Sequence, residues 1–129
     1  MKHAASLALT FTAGVGAGLF AIAPLQAQNP PKSAFVIAET HVTNPYGFSD
    51  YVRQEPASLA PYRGRIVARA LPDSREGAAT DGTVTIYAFD RLQDADRWYN
   101  SPEYSKLKLL RQQSAETRLY VVSGVVQAP

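Results

Sequence analysis

An α+β domain of order βαββαβ is what this sequence predicts, and three observations predict it. Four runs rich in β-branched and aromatic residues alternate with period two, and between them lie two stretches with apolar residues at helical spacing behind proline-containing helix starts. A turn-dense string, PDSREGAATDG, separates the middle two strands. The length of 129 residues suits one core, and 46% hydrophobic against 19% charged residues is a globular composition.

The first strand runs from Ala34 to Val42. Alternation places Phe35, Ile37, Glu39 and His41 on one face and Val36, Ala38, Thr40 and Val42 on the other. Asn44-Pro45 reads as an N-cap followed by proline at the first helical position, and Phe48, Tyr51 and Val52 then recur at helical spacing. Pro56 is expected to end or kink this helix, with Leu59 and Tyr62 continuing on a short segment closed by Gly64. Arg65 to Leu71 and Thr83 to Phe89 pair as an antiparallel hairpin. Asp90 with Gln93 resembles a capping box for the second helix, whose buried face carries Leu92, Ala95, Trp98 and Tyr99. Ser101-Pro102 restarts it, so this helix is read as kinked, with Leu107 and Leu110 in its second half. Arg118 to Val126 is the last strand. Two β-α-β units in this order form a four-stranded antiparallel sheet with both helices on one face, the ferredoxin-like topology. An apolar sheet face left bare calls for a partner, and a homodimer closed into an α+β barrel is the simplest one.

The first residues are a different material. Lys2 and His3 precede an uncharged run from Ala4 to Ala23, followed by Pro-Leu-Gln-Ala, which is the order of a secretory signal peptide. Residues 1–27 are assigned to that leader, 28–33 to a linker containing Pro30-Pro31, and 34–126 to the folded domain. Export to the periplasm follows, with no stable membrane anchoring after cleavage. The rival is an uncleaved anchor, because the run approaches the roughly 20 residues that span a bilayer. Its many Gly and Ala residues weigh against that.

Charge and cysteine content narrow the function classes. Without Lys2 the mature chain has twelve basic against eleven acidic residues, too balanced to mark a nucleic-acid partner. Cysteine is absent, which excludes disulfides, thiolate catalysis and Cys-based metal centres. No Gly-x-Ser-x-Gly elbow supports a hydrolase triad, and no motif calls for a cofactor.

Several strings, AFVIAETHVTNP, LAPYRGRIVARA and IYAFDRLQDADRWYNSPEYSKLKLLRQQSAETRLYVVSGV, together resemble the bacterial family called domain of unknown function 1330. The resemblance covers nearly all of residues 34–126. It implies a ferredoxin-like fold that dimerises into an α+β barrel, and it implies no known reaction. The chain departs from the family pattern at Arg63-Gly64, where Gly-Gly is usual, and at Ala70, where a glycine often follows the strand arginine.

Five residues are candidates for binding a small molecule. Glu39 is a carboxylate on an otherwise apolar strand and must be hydrated, paired or shifted in pKa. Arg69 offers the planar fork that suits a carboxylate ligand, or else pairs with Glu39 itself. His41 is the one histidine outside the leader; with Glu39 it makes a Glu-x-His pair on one strand face, too few ligands for zinc, so no metal is expected. Trp98 and Tyr99 sit beside the helix restart and either fill the core or edge a pocket. The first reading is a dimer enclosing a small-molecule pocket between sheet and helices, lined by Glu39, His41 and Arg69. Two alternatives stand beside it: a non-catalytic structural or interaction dimer, and a cofactor-independent isomerase or monooxygenase-like enzyme.

Overall fold

The computed structural model describes residues 32–125, so the leader, most of the linker and Val126 lie outside the described residues. The elements are β1 (Ala34–Val42), α1 (Pro45–Leu59), a 3-10 turn (Ala60–Tyr62), β2 (Arg65–Ala70), β3 (Thr83–Phe89), α2 (Leu92–Tyr99), α3 (Pro102–Ser114) and β4 (Ala115–Ser123). The strands form one antiparallel sheet of order β2-β3-β1-β4, the ferredoxin-like arrangement, with β1 and β3 central. The register sets Val36 against Tyr87 and Val121 on the helix side, and Ile37 against Ile86 and Tyr120 on the other.

Local chemistry accounts for the boundaries. Asn44 caps α1, its Oδ1 accepting from the Gly47 amide at 3.3 Å. Ser101 caps α3 through the Tyr104 amide at 3.1 Å, with Pro102 in the first turn. Pro56 neither ends nor replaces α1, which runs on to Leu59. A proline this close to a helix end removes a single backbone donor, and the buried Glu55, Ser58 and Leu59 hold the last turn in place. The expected kink at Ser101-Pro102 is a full break between α2 and α3. The expected capping box is not formed: Arg91 occupies the N-cap of α2 without a side-chain capping bond, and Asp90 faces Arg65 Nη1 at 3.3 Å instead. β4 begins at Ala115, three residues before the expected start, because α3 passes into it without a loop.

Arg63 ends the 3-10 turn in the left-handed region at φ 55°. For a residue with a Cβ that conformation costs roughly 1 to 2 kcal/mol, which explains why a glycine is the easier choice here. Gly64 cannot be exchanged in the same way, since a Cβ there would stand 2.5 Å from the Phe89 ring. The core between sheet and helices is built on Val36, Tyr51, Leu59, Tyr87, Phe89, Trp98 and Tyr104, all at most 2% exposed. On the opposite face Phe35, Ile37, Val84 and Ile86 are half-buried and Tyr120 and Val122 are exposed, with no element of the described residues covering them.

Candidate functional site

The most unusual chemistry lies on the helix side of the sheet. Glu55, on the inner face of α1, is wholly buried. Its Oε1 accepts from the Tyr51 hydroxyl one turn back at 2.5 Å and from the Tyr87 hydroxyl of β3. Its Oε2 accepts from Arg69 Nη2, and Arg69 Nε in turn donates to Thr85 Oγ1 at 3.1 Å. The Tyr104 hydroxyl of α3 stands 3.5 Å from that of Tyr51, so three phenols from three elements converge beside one carboxylate. A carboxylate out of water survives only when its lone pairs are met by donors, and here a guanidinium and two phenols meet them.

Burial raises the pKa values of Tyr51, Tyr87 and Tyr104. For Tyr51 the neighbouring Tyr87, Tyr104 and Glu55 add to the rise, and for Tyr87 the Glu55 charge does. At Tyr104 the Arg111 guanidinium pulls the other way. For Arg69 burial works to lower the pKa, but the hydrogen bond and charge of Glu55 outweigh it and hold the guanidinium above its ordinary value. Because the three phenols take up protons more readily when folded than when unfolded, the stability they contribute is complete below the ordinary tyrosine range, at about pH 10. It is lost as pH rises from there. In an alkaline titration, the phenolate absorbance of these rings should appear only together with the loss of circular dichroism. Ionisation of all seven tyrosines with the fold intact would contradict this burial.

The five residues singled out in the sequence do not share one site. Glu39 and His41 lie on the outer face of β1, whereas Arg69 reaches the inner side. Glu39 pairs with Arg118 on β4, its Oε2 2.6 Å from Nη2, and not with Arg69, whose partner is Glu55. This contact is an ion pair without an aligned donor hydrogen. His41 Nδ1 is 3.4 Å from Asp81 Oδ2, and both side chains are well exposed. Together with Arg118, Thr80 and Thr117 they line an open recess of about 400 Å³ at the end of the sheet. Trp98 is a core residue: it is fully buried, packs on Tyr104, Tyr87 and Phe89 at centroid distances of 3.9, 5.3 and 5.5 Å, and donates from Nε1 to Ser58 Oγ at 3.1 Å. Tyr99 is half-buried, with Lys108 Nζ 3.6 Å from its ring centroid. Among the described residues no cluster of three or more His, Cys, Asp or Glu side chains could hold a metal ion.

Glu55 was within reach of sequence reasoning. Tyr51 and Glu55 are one turn apart, so a carboxylate on the apolar stripe of α1 is the same signal that drew notice to Glu39 on its strand.

A family model described as a domain of unknown function (DUF1330) matches residues 33–125. The chain belongs to the DUF1330 family. No curated protein matches it. Several solved structures are similar to this DUF1330 chain, among them two that share its fold at low identity. One is the RPA0582 protein of unknown function from Rhodopseudomonas palustris, at 14% identity and a TM-score of 0.59, covering 73% of this chain and 83% of the other. The second is SnoaB, a cofactor-independent oxygenase from Streptomyces nogalater, at 16% identity and a TM-score of 0.52, covering 77% of this chain and 98% of the other. At such identities the likeness establishes a shared fold, and activity has to be argued from the DUF1330 chain's own residues.

Proposed function

We propose that the mature chain is an exported homodimer that binds a small organic molecule between sheet and helices, where Glu55, Tyr51, Tyr87 and Arg69 transfer a proton to or from it without a cofactor. The observation that carries this reading is the wholly buried Glu55 carboxylate hydrogen-bonded to two phenols and a guanidinium. Carboxylates and phenols packed together out of water are the setting in which proton affinities are tuned for acid-base work. In the forward step Glu55 takes the Tyr51 hydroxyl proton as Tyr51 takes a proton from the ligand, and Arg69 balances the charge. That SnoaB carries out cofactor-independent oxygenation supports the reading as a fold-level analogy.

The bare sheet face supports the dimer. With four strands about 4.8 Å apart and at least six residues per strand, it presents on the order of 400 Å² per copy, within the size range in which a patch often serves as a contact surface. Its composition, Phe35, Ile37, Ile86, Tyr120 and Val122 with Glu39 and Arg118 at one end, suits a second copy of itself. The leader-like residues 1–27 support export.

Native mass spectrometry of protein recovered from the periplasm tests these parts together. The expected species starts at Gln28, has twice the chain mass and carries a small-molecule adduct that Glu55→Gln loses. A bare monomer would refute sheet-to-sheet closure. A dimer with no adduct, or with one that Glu55→Gln leaves in place, would favour a structural dimer over a ligand site at Glu55.

A further inference from the structure

Cysteine and methionine are the usual first targets when an oxidant meets a protein. This chain has no cysteine, and Met1 is its only methionine, so residues 32–125 hold no sulfur. The side chains that then give up an electron most readily are the single tryptophan and the seven tyrosines. Trp98 and four of those tyrosines lie in one cluster.

Ring contacts join them into a path. Tyr99 is half-buried and borders solvent, and its ring centroid is 5.8 Å from that of the buried Tyr104. Tyr104 lies 3.9 Å from Trp98, and Trp98 5.3 Å from Tyr87. The Tyr51 hydroxyl is 3.5 Å from those of both Tyr87 and Tyr104, so every ring has a neighbour in the set. Rings this close exchange electrons directly.

The two ends of the path differ chemically. A phenol oxidised near neutral pH must also lose its proton, so it needs a base on its hydroxyl. Tyr51 and Tyr87 both donate to the Glu55 carboxylate, at 2.5 Å for Tyr51. Trp98 Nε1 donates instead to the Ser58 hydroxyl, which is no base, and the Tyr104 hydroxyl reaches that of Tyr51. At the outer end the Lys108 ammonium stands 3.6 Å from the Tyr99 centroid, and a cation over a ring opposes removal of an electron from it. An electron vacancy that enters at Tyr99 therefore runs inward and comes to rest on Tyr51 or Tyr87.

We infer that the domain reduces small organic radicals of the peroxyl class, which oxidise phenols readily, and keeps the oxidising equivalent as a neutral phenoxyl radical shared by Tyr51 and Tyr87. The peroxyl radical takes one electron at Tyr99 and one proton from water, leaving a hydroperoxide and hydroxide. Tyr104 and Trp98 pass the vacancy inward. Tyr51 or Tyr87 then loses an electron to that path and its hydroxyl proton to Glu55, so an O–H bond breaks and a neutral carboxylic acid forms. Arg69, whose side chain is 26% exposed on an edge strand, has water to turn to while Glu55 is neutral. Tyr51 and Tyr87 are each 2% exposed, and the core around them keeps other molecules away from the radical. This step uses the Glu55 cluster but needs no bound ligand, so it stands apart from the ligand reading.

Photogenerated tris(bipyridine)ruthenium(III) is a one-electron oxidant too large to enter the core, and electron paramagnetic resonance after rapid freezing reads where the vacancy rests. The purified protein should give a long-lived neutral phenoxyl signal. In Tyr51→Phe/Tyr87→Phe, which keeps the ring volumes, and in Glu55→Gln, which keeps an acceptor but no base, that signal should fall at least about tenfold. Formation in wild type should be slower in deuterium oxide, because the proton moves as the electron leaves. Wild type should also consume peroxyl radicals from a thermal azo initiator faster than the double phenylalanine variant does. The absence of a long-lived phenoxyl in wild type, or an equal yield in either variant, overturns the inference, and equal peroxyl consumption overturns its substrate class. If neither variant folds, an unchanged rate in deuterium oxide is enough to reject it. A phenoxyl signal from protein that carries no adduct leaves this inference standing while the ligand reading fails, and an adduct without the signal does the reverse.

Discussion

Glu55→Leu should cost the fold about 3 to 5 kcal/mol, read as a lowered urea midpoint at neutral pH. The change leaves Arg69, whose side chain is only 26% exposed, without its counter-charge and deprives the Tyr51 and Tyr87 hydroxyls of their shared acceptor. Part of the loss is recoverable: the two phenols are 3.5 Å apart and can bond to each other, and Arg69 can turn toward water from its edge strand. Glu55→Gln keeps the shape and one acceptor oxygen but sets an amide donor against a donor, so its cost should fall between leucine and wild type. A cost below about 1 kcal/mol for Glu55→Leu would mean that the cluster is solvated in solution.

Trp98→Ala should be as damaging, at about 3 to 5 kcal/mol. The indole is 0% exposed and touches three elements around the core: Tyr87 and Phe89 on β3, Tyr104 on α3, and Ser58 on α1 through Nε1. Its removal opens a cavity that rings on stiff elements cannot collapse into, and it takes from Ser58 Oγ the donor it accepts from, although that hydroxyl still donates to the Glu55 carbonyl at 2.7 Å. Trp98→Phe removes the hydrogen bond and keeps most of the packing, so about 1 to 2 kcal/mol is expected. Equilibrium denaturation of both variants separates the two contributions. Near-equal costs would place the weight on the Ser58 bond instead of the packing.

Period-two alternation made the strands legible from sequence, and it grouped Val36, Ala38 and Thr40 on one face because β1 is regular along its length; that this face is the one the helices cover came from the structure. Side-chain caps made the starts of α1 and α3 legible, since Asn44-Pro45 and Ser101-Pro102 each combine an acceptor with a residue that needs no amide donor. Cross-strand register was not legible. Alternation gives a face but no partner, so whether Glu39 met Arg69 or Arg118 could not follow from it. Arg69 was further obscured by a bulge. The pairing shifts between Ile66 and Ala68, so Ile66, opposite Tyr87, and Arg69, opposite Thr85, both face the helices although strict alternation would set them apart. Arg111 was hidden for another reason: a lone charged residue on a helical stripe reads as an edge of the polar face until the second helix is packed against it.

The central claim is that the buried Glu55–Arg69 pair serves a ligand and not merely the fold, and the double variant Glu55→Leu/Arg69→Met separates these roles. Replacing a buried ion pair with apolar side chains of similar volume commonly leaves stability unchanged or raises it. The account therefore predicts a double variant that melts within a few degrees of wild type, remains a dimer, and carries no copurifying small molecule in native mass spectrometry. A folded double variant that retains the same adduct as wild type would contradict it.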